Sequence, residues 1–289
     1  MKVTVIIPNY QGKNYIRACL DSLRVQQGSR GAKDAAEAED PAREARFTVL
    51  VVDNGSTDGS LEIVRQEYPE VKVIALPENT GFCHAVNVGI QAADTPYVLL
   101  LNNDTMARPG FVEALCRRME SDDRIFSVSP MMLSMADDSR IDDAGDRYNA
   151  LGWAFARGKG EPAERYLKSV RIFAACGGAS LYRRDAVLSL GGFDENHFAY
   201  LEDIDIGFRA LIHGWHNVYE PQARVLHAGS GVSGSRYNAF KVKLSSANNA
   251  YMIGKNMPFL QILLNFPLLF LGFCIKTAFF TKKKMGMLY

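Results

Sequence analysis

The chain has few cysteines, and no two of them form a close pair. Its five cysteines lie far apart without a C-x-x-C motif, so no disulfide framework is indicated. A secretory signal is also absent from the start of the chain, because Met-Lys-Val-Thr-Val-Ile-Ile reads as a strand. These absences predict a reduced, cytoplasmic location.

Neither sign of charge is in excess. The formal net charge of the 289 residues is +1, which does not favour a nucleic-acid-binding protein. The length suits one large α/β domain, or one domain with an appendage.

Three common motifs of nucleotide-binding and hydrolytic enzymes are missing. No G-x-G-x-x-G follows the first apolar run, and no G-x-x-x-x-G-K-[ST] occurs, so neither a dinucleotide fingerprint nor a P-loop is present. Without a G-x-S-x-G elbow, the sequence offers no serine nucleophile.

The most informative stretch that is present is an apolar run at 98–101 followed by Asn102, Asn103 and Asp104. Such a run predicts a strand buried on both faces, as in a parallel sheet between helices. Its carboxyl end is then a ligand-binding edge. One carboxylate and two amides suit a hard cation such as Mg²⁺ or Mn²⁺. The alternative is an ordinary Asn/Asp turn after a strand.

Three strand–helix units precede this run. Their strands are predicted at 3–7, 47–52 and 71–76, each followed by a helical pattern. This order predicts a Rossmann-like, mostly parallel, right-handed sheet flanked by helices. Residues 26–46 have no apolar period and are interpreted as a surface insertion.

Beyond the central strand the pattern is weaker. A strand is predicted near 126–132, a glycine-interrupted strand at 172–182, and short strands at 218–221 and 224–227. A helix with polar residues is predicted at 237–255.

Polar residues collect at the predicted strand ends: Asn9, Asp53, Asn54, Asp58 and Asp104. A nucleotide's base and ribose supply donors to carboxylates, whereas its diphosphate needs a cation between it and an acidic side chain.

A second acidic group, Glu202, Asp203 and Asp205, lies at a predicted helix start beside a glycine-rich loop. Stabilisation by the helix dipole is one explanation. Asp205 and Arg209 are spaced for an ion pair, which leaves Asp203 or Glu202 as a free base.

The long apolar segment 257–280 contains Pro267 and is followed by three lysines, 282–284. It has the ~20 residues needed to cross a bilayer. If the body is cytoplasmic, one crossing places the lysines outside, against the positive-inside tendency. A kinked or in-plane helix with lysines on anionic headgroups fits better. The alternative is a core helix or a partner interface.

Six motifs together resemble the family 2 glycosyltransferases, and most closely the bacterial rhamnosyltransferase-like branch. The resemblance covers about residues 1–235. The motifs are Pro8-Asn9-Tyr10, Val52-Asp-Asn-Gly-Ser-Thr-Asp58, Asn79-Thr-Gly-Phe82, Leu100-Leu-Asn-Asn-Asp104, Gly192-Phe-Asp-Glu195 and Glu202-Asp-Ile-Asp205.

This resemblance implies a GT-A fold and a catalytic domain at 1–235. The rest of the chain, 236–289, contains the apolar segment and is expected to be a C-terminal helical, membrane-associated segment. It implies an inverting, metal-dependent transferase that uses a dTDP- or UDP-sugar and Mg²⁺ or Mn²⁺. The implied acceptor is a hydroxyl of a glycan or lipid-linked sugar, in bacterial cell-surface polysaccharide synthesis, with rhamnosyl transfer as one form. The expected location is the inner face of the cell membrane, where the protein is peripheral.

Residue roles also follow from the resemblance. Asp203 is the expected catalytic base, supported by Glu202, and Asp104 is the expected metal ligand, with His227 at the metal or diphosphate. The sequence departs from the family's D-x-D pattern, since only the third position carries a carboxylate. The implied donor-binding residues are Pro8, Asn9, Tyr10, Asp53, Asn54, Asn79, Gly81, Asn102 and Asn103.

Two other functions compete with this prediction. One is a non-catalytic nucleotide-sugar-binding protein of the same fold, which retention of Asp104 and Asp203 disfavours. The other is a nucleotidyltransferase, but the loop Pro8-Asn-Tyr-Gln-Gly12 is not the glycine-rich, basic loop that such enzymes carry.

Overall fold

The computed structural model describes residues 2–28, 47–229 and 238–286. Its core begins with four parallel strands, β1 (Val3–Asn9), β2 (Phe47–Asn54), β3 (Lys72–Leu76) and β4 (Tyr97–Leu101). They lie in the order β3-β2-β1-β4, so the chain reverses its direction of progress at β1. The crevice at such a switch point, at the carboxyl ends of the strands, is where open α/β sheets bind ligands.

Helices connect these strands and cover both faces of the sheet. They are α1 (Ile16–Gly28), α2 (Ser60–Glu67) and α3 (Phe82–Ala92). The three strand–helix units predicted from sequence are therefore confirmed.

Alternate strand residues feed two separate cores, one on each face. On β4, Leu99 and Leu101 pack in the core that includes α1, while Val98 and Leu100 pack in the core that includes α3. All five residues of β4 are buried. The prediction that this strand is covered on both faces is confirmed.

The second half of the chain extends the same sheet to ten strands with mixed directions. A last strand, β12, runs parallel to β6, while β11 lies antiparallel between β4 and β6. The elements are β5 (Thr105–Ala107), α4 (Phe111–Glu120), β6 (Ile125–Ser134), β7 (Ile141–Asp143), β8 (Asp146–Tyr148), β9 (Ala154–Ala156), β10 (Val170–Ile172), β11 (Ala179–Arg183), α5 (Arg184–Ser189), α6 (Glu202–Ile212), β12 (His216–His227), α7 (Ala239–Asn256) and α8 (Phe259–Lys282).

Two strand predictions in this half are wrong in detail. The segment 172–182 forms two strands, because the chain leaves the sheet after β10, where the backbone N–H of Asp146 bonds the carbonyl of Ala174 at 2.9 Å. The two short strands predicted at 218–221 and 224–227 are one strand, β12, whose pairing with β6 shifts register between Glu220 and Arg224.

Part of the predicted surface insertion lies outside the described residues. Helix α1 extends to Gly28, so 26–28 are helical, and nothing is described for 29–46. The predicted domain boundary at 235/236 also lies outside the described residues, and it stays a prediction.

Helix α8 is apolar and mostly exposed. Only Gly272 and Phe280 are buried, and Pro267 lies within the helix. Among the described residues it is the one helix long and apolar enough, by length and composition, to cross a membrane.

Candidate active site

A cleft of about 830 Å³ opens at the carboxyl ends of β1 and β4, the switch point of the sheet. Every site residue predicted from sequence lines it except Asp53 and Gly81. The lining residues are Pro8, Asn9, Tyr10, Asn54, Asn79, Phe82, Asn102, Asn103, Asp104, Cys176, Gly177, Gly178, Phe198, Ala199, Tyr200, Glu202, Asp203, His227, Asn238, Ala239, Phe240 and Lys241.

The floor of the cleft is a chain of side-chain hydrogen bonds across three neighbouring strands. The Asn103 amide donates to Asn9 Oδ1 at 2.8 Å, and the Asn9 amide donates to Asp53 Oδ1 at 2.8 Å. All three side chains are buried, so these bonds are made away from water. They fix the ends of β4, β1 and β2 relative to one another.

The two predicted residues outside the lining have structural contacts instead. Asp53 is 1% exposed, and its second oxygen accepts the backbone N–H of Ser56 at 3.0 Å. Gly81 has φ +92, and a Cβ there would lie 2.7 Å from the ring of Phe198. Their donor-binding roles stay predictions.

Asn54 and Asn79 also shape the loop beside the cleft. The Asn54 amide donates to Asn79 Oδ1 at 3.0 Å, and Asn54 Oδ1 accepts the backbone N–H of Thr80 at 3.0 Å. This loop leads directly into α3.

Asp104 and His227 meet at one end of the cleft. The antiparallel pair β5–β12 sets Thr105 opposite His227, and His227 Nε2 lies 3.4 Å from Asp104 Oδ1. His227 Nδ1 lies 2.7 Å from Asp142 Oδ2, and Asp142 is paired with Lys159 at 2.6 Å. Asp142 therefore orients the ring of His227 so that Nε2 faces Asp104.

The charges at this end are strongly coupled. Burial lowers the pKa of His227, but hydrogen bonds to Asp104 and Asp142 outweigh it and raise this pKa to about 9. Burial raises the pKa of Asp142, but His227 and Lys159 lower it to about 2. The protonated ring of His227 therefore lies between the carboxylates of Asp104 and Asp142. The same position would also attract a metal cation.

These residues fit a divalent cation. A bound cation would replace the Nε2 proton of this imidazolium. Nδ1 would still donate to Asp142 and the freed Nε2 lone pair would face the cation beside Asp104, the arrangement in which carboxylates orient histidine ligands. An imidazole with a carboxylate and substrate oxygens suits Mn²⁺ or a similar ion. In the described part of the chain, two other clusters also have donor atoms within 4.8 Å of one another: Asp143, Asp146 and Cys176, and Asp194, His197 and Asp205.

The carboxylate of Asp203 lies in the same cleft, on the first turn of α6. Its Oδ2 accepts the backbone N–H of Gly177 at 2.8 Å, and its Oδ1 accepts that of Ile204 at 2.8 Å. Burial raises the pKa of Asp203, while these two donors oppose the shift. A carboxyl whose pKa is raised toward neutrality is a better general base than an ordinary one.

Glu202 lies beside it and is also buried. Burial, with the charge of Asp203 adding to it, raises the pKa of Glu202 to about 8. Its Oε2 has no hydrogen-bond partner among the described residues. This shift favours the protonated, neutral form of Glu202 beside Asp203.

Asp205 is not part of the cleft. Its side chain is fully buried and pairs with Arg209 at 2.8 Å, as the four-residue spacing predicts. Lys255 and Asn256 of α7 bond the same carboxylate, at 3.0 and 2.7 Å. Burial raises its pKa, but these partners lower it well below the usual range.

Sequence reasoning missed two parts of the site. One is the turn at Gly177 and Gly178. The two adjacent glycines were the sequence signal that could have indicated this turn. The other is the first turn of α7, which brings Phe240 and Lys241 into the cleft. No motif marks these two residues, because they lie beyond every position that the resemblance assigns.

Comparisons with known proteins agree with this geometry. A family model described as glycosyl transferase family 2 matches residues 4–191. An N-acetylglucosaminyl-diphospho-decaprenol L-rhamnosyltransferase of Mycobacterium tuberculosis is 33% identical over 214 residues, which are 64% of this chain and 68% of the relative.

Two solved structures have a similar fold at low sequence identity. GalNAc-T7 with UDP, GalNAc and Mn²⁺ has a TM-score of 0.64 at 15% identity, over 88% of this chain and 48% of that one. A mannosyltransferase from Pyrobaculum calidifontis in complex with GDP-Man and Mn²⁺ has a TM-score of 0.59 at 16% identity, over 96% and 75%. Since the family model spans well over half of the sequence, the chain belongs to glycosyl transferase family 2 and has the GT-A fold of those glycosyltransferases.

Proposed function

We propose that this glycosyltransferase moves a sugar, with inversion, from a nucleotide-sugar donor to a hydroxyl of a lipid-linked acceptor, with Mn²⁺ or Mg²⁺ at Asp104 and His227. One observation carries the proposal. A single cleft at the switch point holds a histidine–carboxylate pair at the end of β4 and the half-buried carboxylate of Asp203 on α6.

The two groups suit the two demands of the reaction. An acceptor hydroxyl is a weak nucleophile, and the raised pKa of Asp203 lets it take the hydroxyl proton as the new bond forms. A cation bound at Asp104 and His227 would neutralise the charge that develops on the departing diphosphate.

The sugar and acceptor are proposed from the relative's name. The mycobacterial relative, at 33% identity, is named for L-rhamnosyl transfer to a diphospho-decaprenol-linked N-acetylglucosamine. We infer a dTDP-L-rhamnose donor and a prenyl-diphosphate-linked sugar acceptor for this chain, in cell-surface polysaccharide synthesis.

The test is a panel of nucleotide sugars, dTDP-L-rhamnose, UDP-sugars and GDP-mannose, incubated with Mn²⁺ and a short-chain prenyl-diphosphate N-acetylglucosamine. We expect release of nucleoside diphosphate and a glycosylated lipid. The anomeric coupling in the product's NMR spectrum reports inversion. Release of pyrophosphate would indicate a nucleotidyltransferase, and binding without turnover of any donor would indicate a non-catalytic protein.

We also propose that α8 docks on the cytoplasmic face of the membrane, where such an acceptor resides. Its covered positions lie along one stripe: Ile262, Asn265, Leu269, Gly272, Lys276, Thr277 and Phe280. This stripe contains the helix's internal lysine and an asparagine. The other faces carry exposed phenylalanine and leucine, such as Phe259 at 80% and Leu264 at 72%.

This polarity is the reverse of a surface helix in a soluble protein, whose apolar stripe faces the core. A Cβ at Gly272 would lie 2.2 Å from the carbonyl oxygen of Leu151, so the helix rests closely on the β8–β9 hairpin. Lys276 Nζ lies 5.4 Å from the ring centroid of Trp153 on the same hairpin. A helix held sideways against the body supports in-plane docking, with the terminal lysines on anionic headgroups.

Vesicle flotation tests this docking. We expect the full chain to float with phosphatidylglycerol-containing vesicles, and Leu264→Glu to float much less. Gln261→Glu, an exposed polar position on the same helix, is the matched control. If neither variant changes flotation, or if the parent stays soluble without detergent, α8 is a partner interface instead.

A further inference from the structure

The turn that precedes the Asp203 carboxylate has an unusual backbone. Phe198, Tyr200 and Leu201 have φ of +58, +70 and +65, although none of them is glycine. Side chains disfavour such conformations, which persist only where the surrounding structure enforces them. Something must therefore hold this turn.

The hydrogen bonds within the turn define its shape, but they do not offset the strain of its positive φ values. The backbone N–H of Ala199 bonds the carbonyl of His197 at 2.6 Å, which closes a three-residue turn around Phe198. With φ +58 and ψ −60 at Phe198, this is the rarer and strained form of such a turn. It leaves several carbonyl groups pointing away from any helix or strand.

One side chain on α7, that of Asn248, donates hydrogen bonds to carbonyl groups of this turn. The Asn248 amide donates to the carbonyl oxygens of His197, Ala199 and Tyr200 at 2.9, 2.9 and 2.8 Å. Asn248 is 5% exposed, so these bonds are shielded from water. An amide has two N–H groups, so three acceptors share them, and losing the amide leaves buried carbonyls unpaired.

The helix that carries Asn248 is itself fixed to α6. Lys255 Nζ lies 3.0 and 3.1 Å from the two oxygens of Asp205. Tyr251 donates its hydroxyl to Asp194 at 2.9 Å. These contacts keep α7 in place along α6, so Asn248 acts from a rigid support.

We infer that Asn248 is a positioning residue for the proposed catalytic base: it holds the turn 197–201 so that Asp203, two residues farther, presents its carboxylate to the cleft. This inference rests on the proposed role of Asp203. Asn248 does not line the cleft, and its three hydrogen bonds are all to backbone carbonyls of the turn. It therefore acts through the turn and not on substrate.

The first experiment separates kcat from binding. Asn248→Ala is expected to lower kcat with dTDP-L-rhamnose and the prenyl-diphosphate acceptor by about 10²-fold, the scale of a displacement near 1 Å. The affinity for dTDP with Mn²⁺, measured by calorimetry, should change less than about threefold, because the floor of the cleft does not involve Asn248. Equal losses of kcat and dTDP affinity would overturn the inference.

The neighbouring residue supplies a matched control. Asn249 lies on the same helix, and its Oδ1 is buried without a hydrogen-bond partner among the described residues. Asn249→Ala should leave kcat within about twofold. If it lowers kcat as much as Asn248→Ala does, the effect belongs to α7 in general, and the assignment to Asn248 fails.

A double-mutant cycle excludes a merely structural role. Residues that act as a unit have non-additive effects. Asn248→Ala should therefore lower the residual rate of Asp203→Asn by less than about threefold. The same large factor in both backgrounds would mean a loss of folded protein and would overturn the inference. Failure of the proposed function is seen separately, as full activity of Asp203→Asn alone.

Asn248→Ser keeps the test decisive if the alanine variant does not fold. Its hydroxyl retains one donor, so kcat should fall between that of the parent and the loss expected for alanine. A serine variant that folds and has the parent's kcat would overturn the inference.

Discussion

The two ends of the cleft are held in different ways. Asp104 is fixed by backbone pairing, since the strand that carries His227 pairs beside it and the N–H of Ala228 bonds the Asp104 carbonyl at 3.0 Å. Asp203 follows a turn with positive φ values that a side chain on another helix holds. A backbone ladder tolerates most side-chain changes, whereas a turn held by one amide does not. The end at Asp104, the proposed metal end, should therefore be robust to substitutions nearby. The end at Asp203, the proposed base end, should be sensitive to them.

The largest expected effect is at the base end. Asp203→Asn should lower the transfer rate by about 10²–10⁴-fold, the usual contribution of a general base. Affinity for the nucleotide should be nearly unchanged, because the base acts on the acceptor. Asp185→Asn, at an exposed carboxylate on α5, is the control. If Asp203→Asn lost nucleotide binding, Asp203 would have to be assigned to the donor site. The two ends of the cleft would then not have separate roles.

The next effect concerns the metal end. Asp104→Ala should abolish the stimulation of nucleotide binding by Mn²⁺, because the carboxylate ligand is lost. Asp53→Ala should weaken nucleotide affinity while Mn²⁺ still stimulates it. Calorimetry with dTDP, with Mn²⁺ or with EDTA, separates the two. Normal binding by Asp104→Ala under both conditions would contradict the metal assignment.

A smaller effect is expected at the floor of the cleft. A Cβ at Gly12 would lie 2.1 Å from Asn9 Oδ1 and 2.2 Å from Asn103 Nδ2, so Gly12→Ala should break the bond between them. Overpacking of this kind lowers the free energy of unfolding by roughly 1–3 kcal/mol. Thermal unfolding measures it. The matched control is Gly254→Ala on α7, where nothing lies within 4 Å.

The control variant is expected to change the free energy of unfolding in the opposite direction. Alanine in a helix interior is favoured over glycine by roughly 0.5–1 kcal/mol, so Gly254→Ala should stabilise the protein slightly. Equal destabilisation by both changes would mean that neither reports on the local contacts.

The remaining effect is a pH dependence of stability. The pKa of Glu202 is raised from 4.5 to about 8 by burial and by Asp203, so the native state binds this proton more tightly than the unfolded state does. Stability is then highest at low pH and falls as pH rises from about 4.5 to 8. Glu202→Gln should flatten the decline of Tm across pH 5–8. An unchanged slope would show that Glu202 titrates normally.

The half of the fold that carries the metal end could be predicted from the sequence. The apolar run at 98–101 predicts a strand covered on both faces. The polar residues after it predict a ligand-binding site at the carboxyl end of that strand. These signals are local, since a strand's pattern and its end lie within a few residues of one another. His227 could be assigned by motif alone, although the strand pairing that brings it to Asp104 could not.

The base end depends on contacts that leave no local signature. Leucine, tyrosine and phenylalanine give no sign of positive φ, because this backbone is imposed by the surroundings. Asn248 lies 45 positions beyond Asp203, in a helix without a motif. The segment 174–178 was misassigned as strand because its alanines and glycines suit either a strand or a turn, and its contact with Asp146 is non-local.

The bonds from α7 to α6 also bear on how catalytic modules can be exchanged between enzymes of this family. Chain segments transplant well where few contacts cross the junction, yet Asn248, Lys255 and Asn256 all bond to residues before the predicted boundary at 235. A chimera joined there would combine one parent's Asp205 with another parent's helix. The buried carboxylate would then keep Arg209 and His197 and lose Lys255 and Asn256. Junctions placed after Asn256 avoid that mismatch, so donor or acceptor specificity is best recombined with α6 and α7 inherited together.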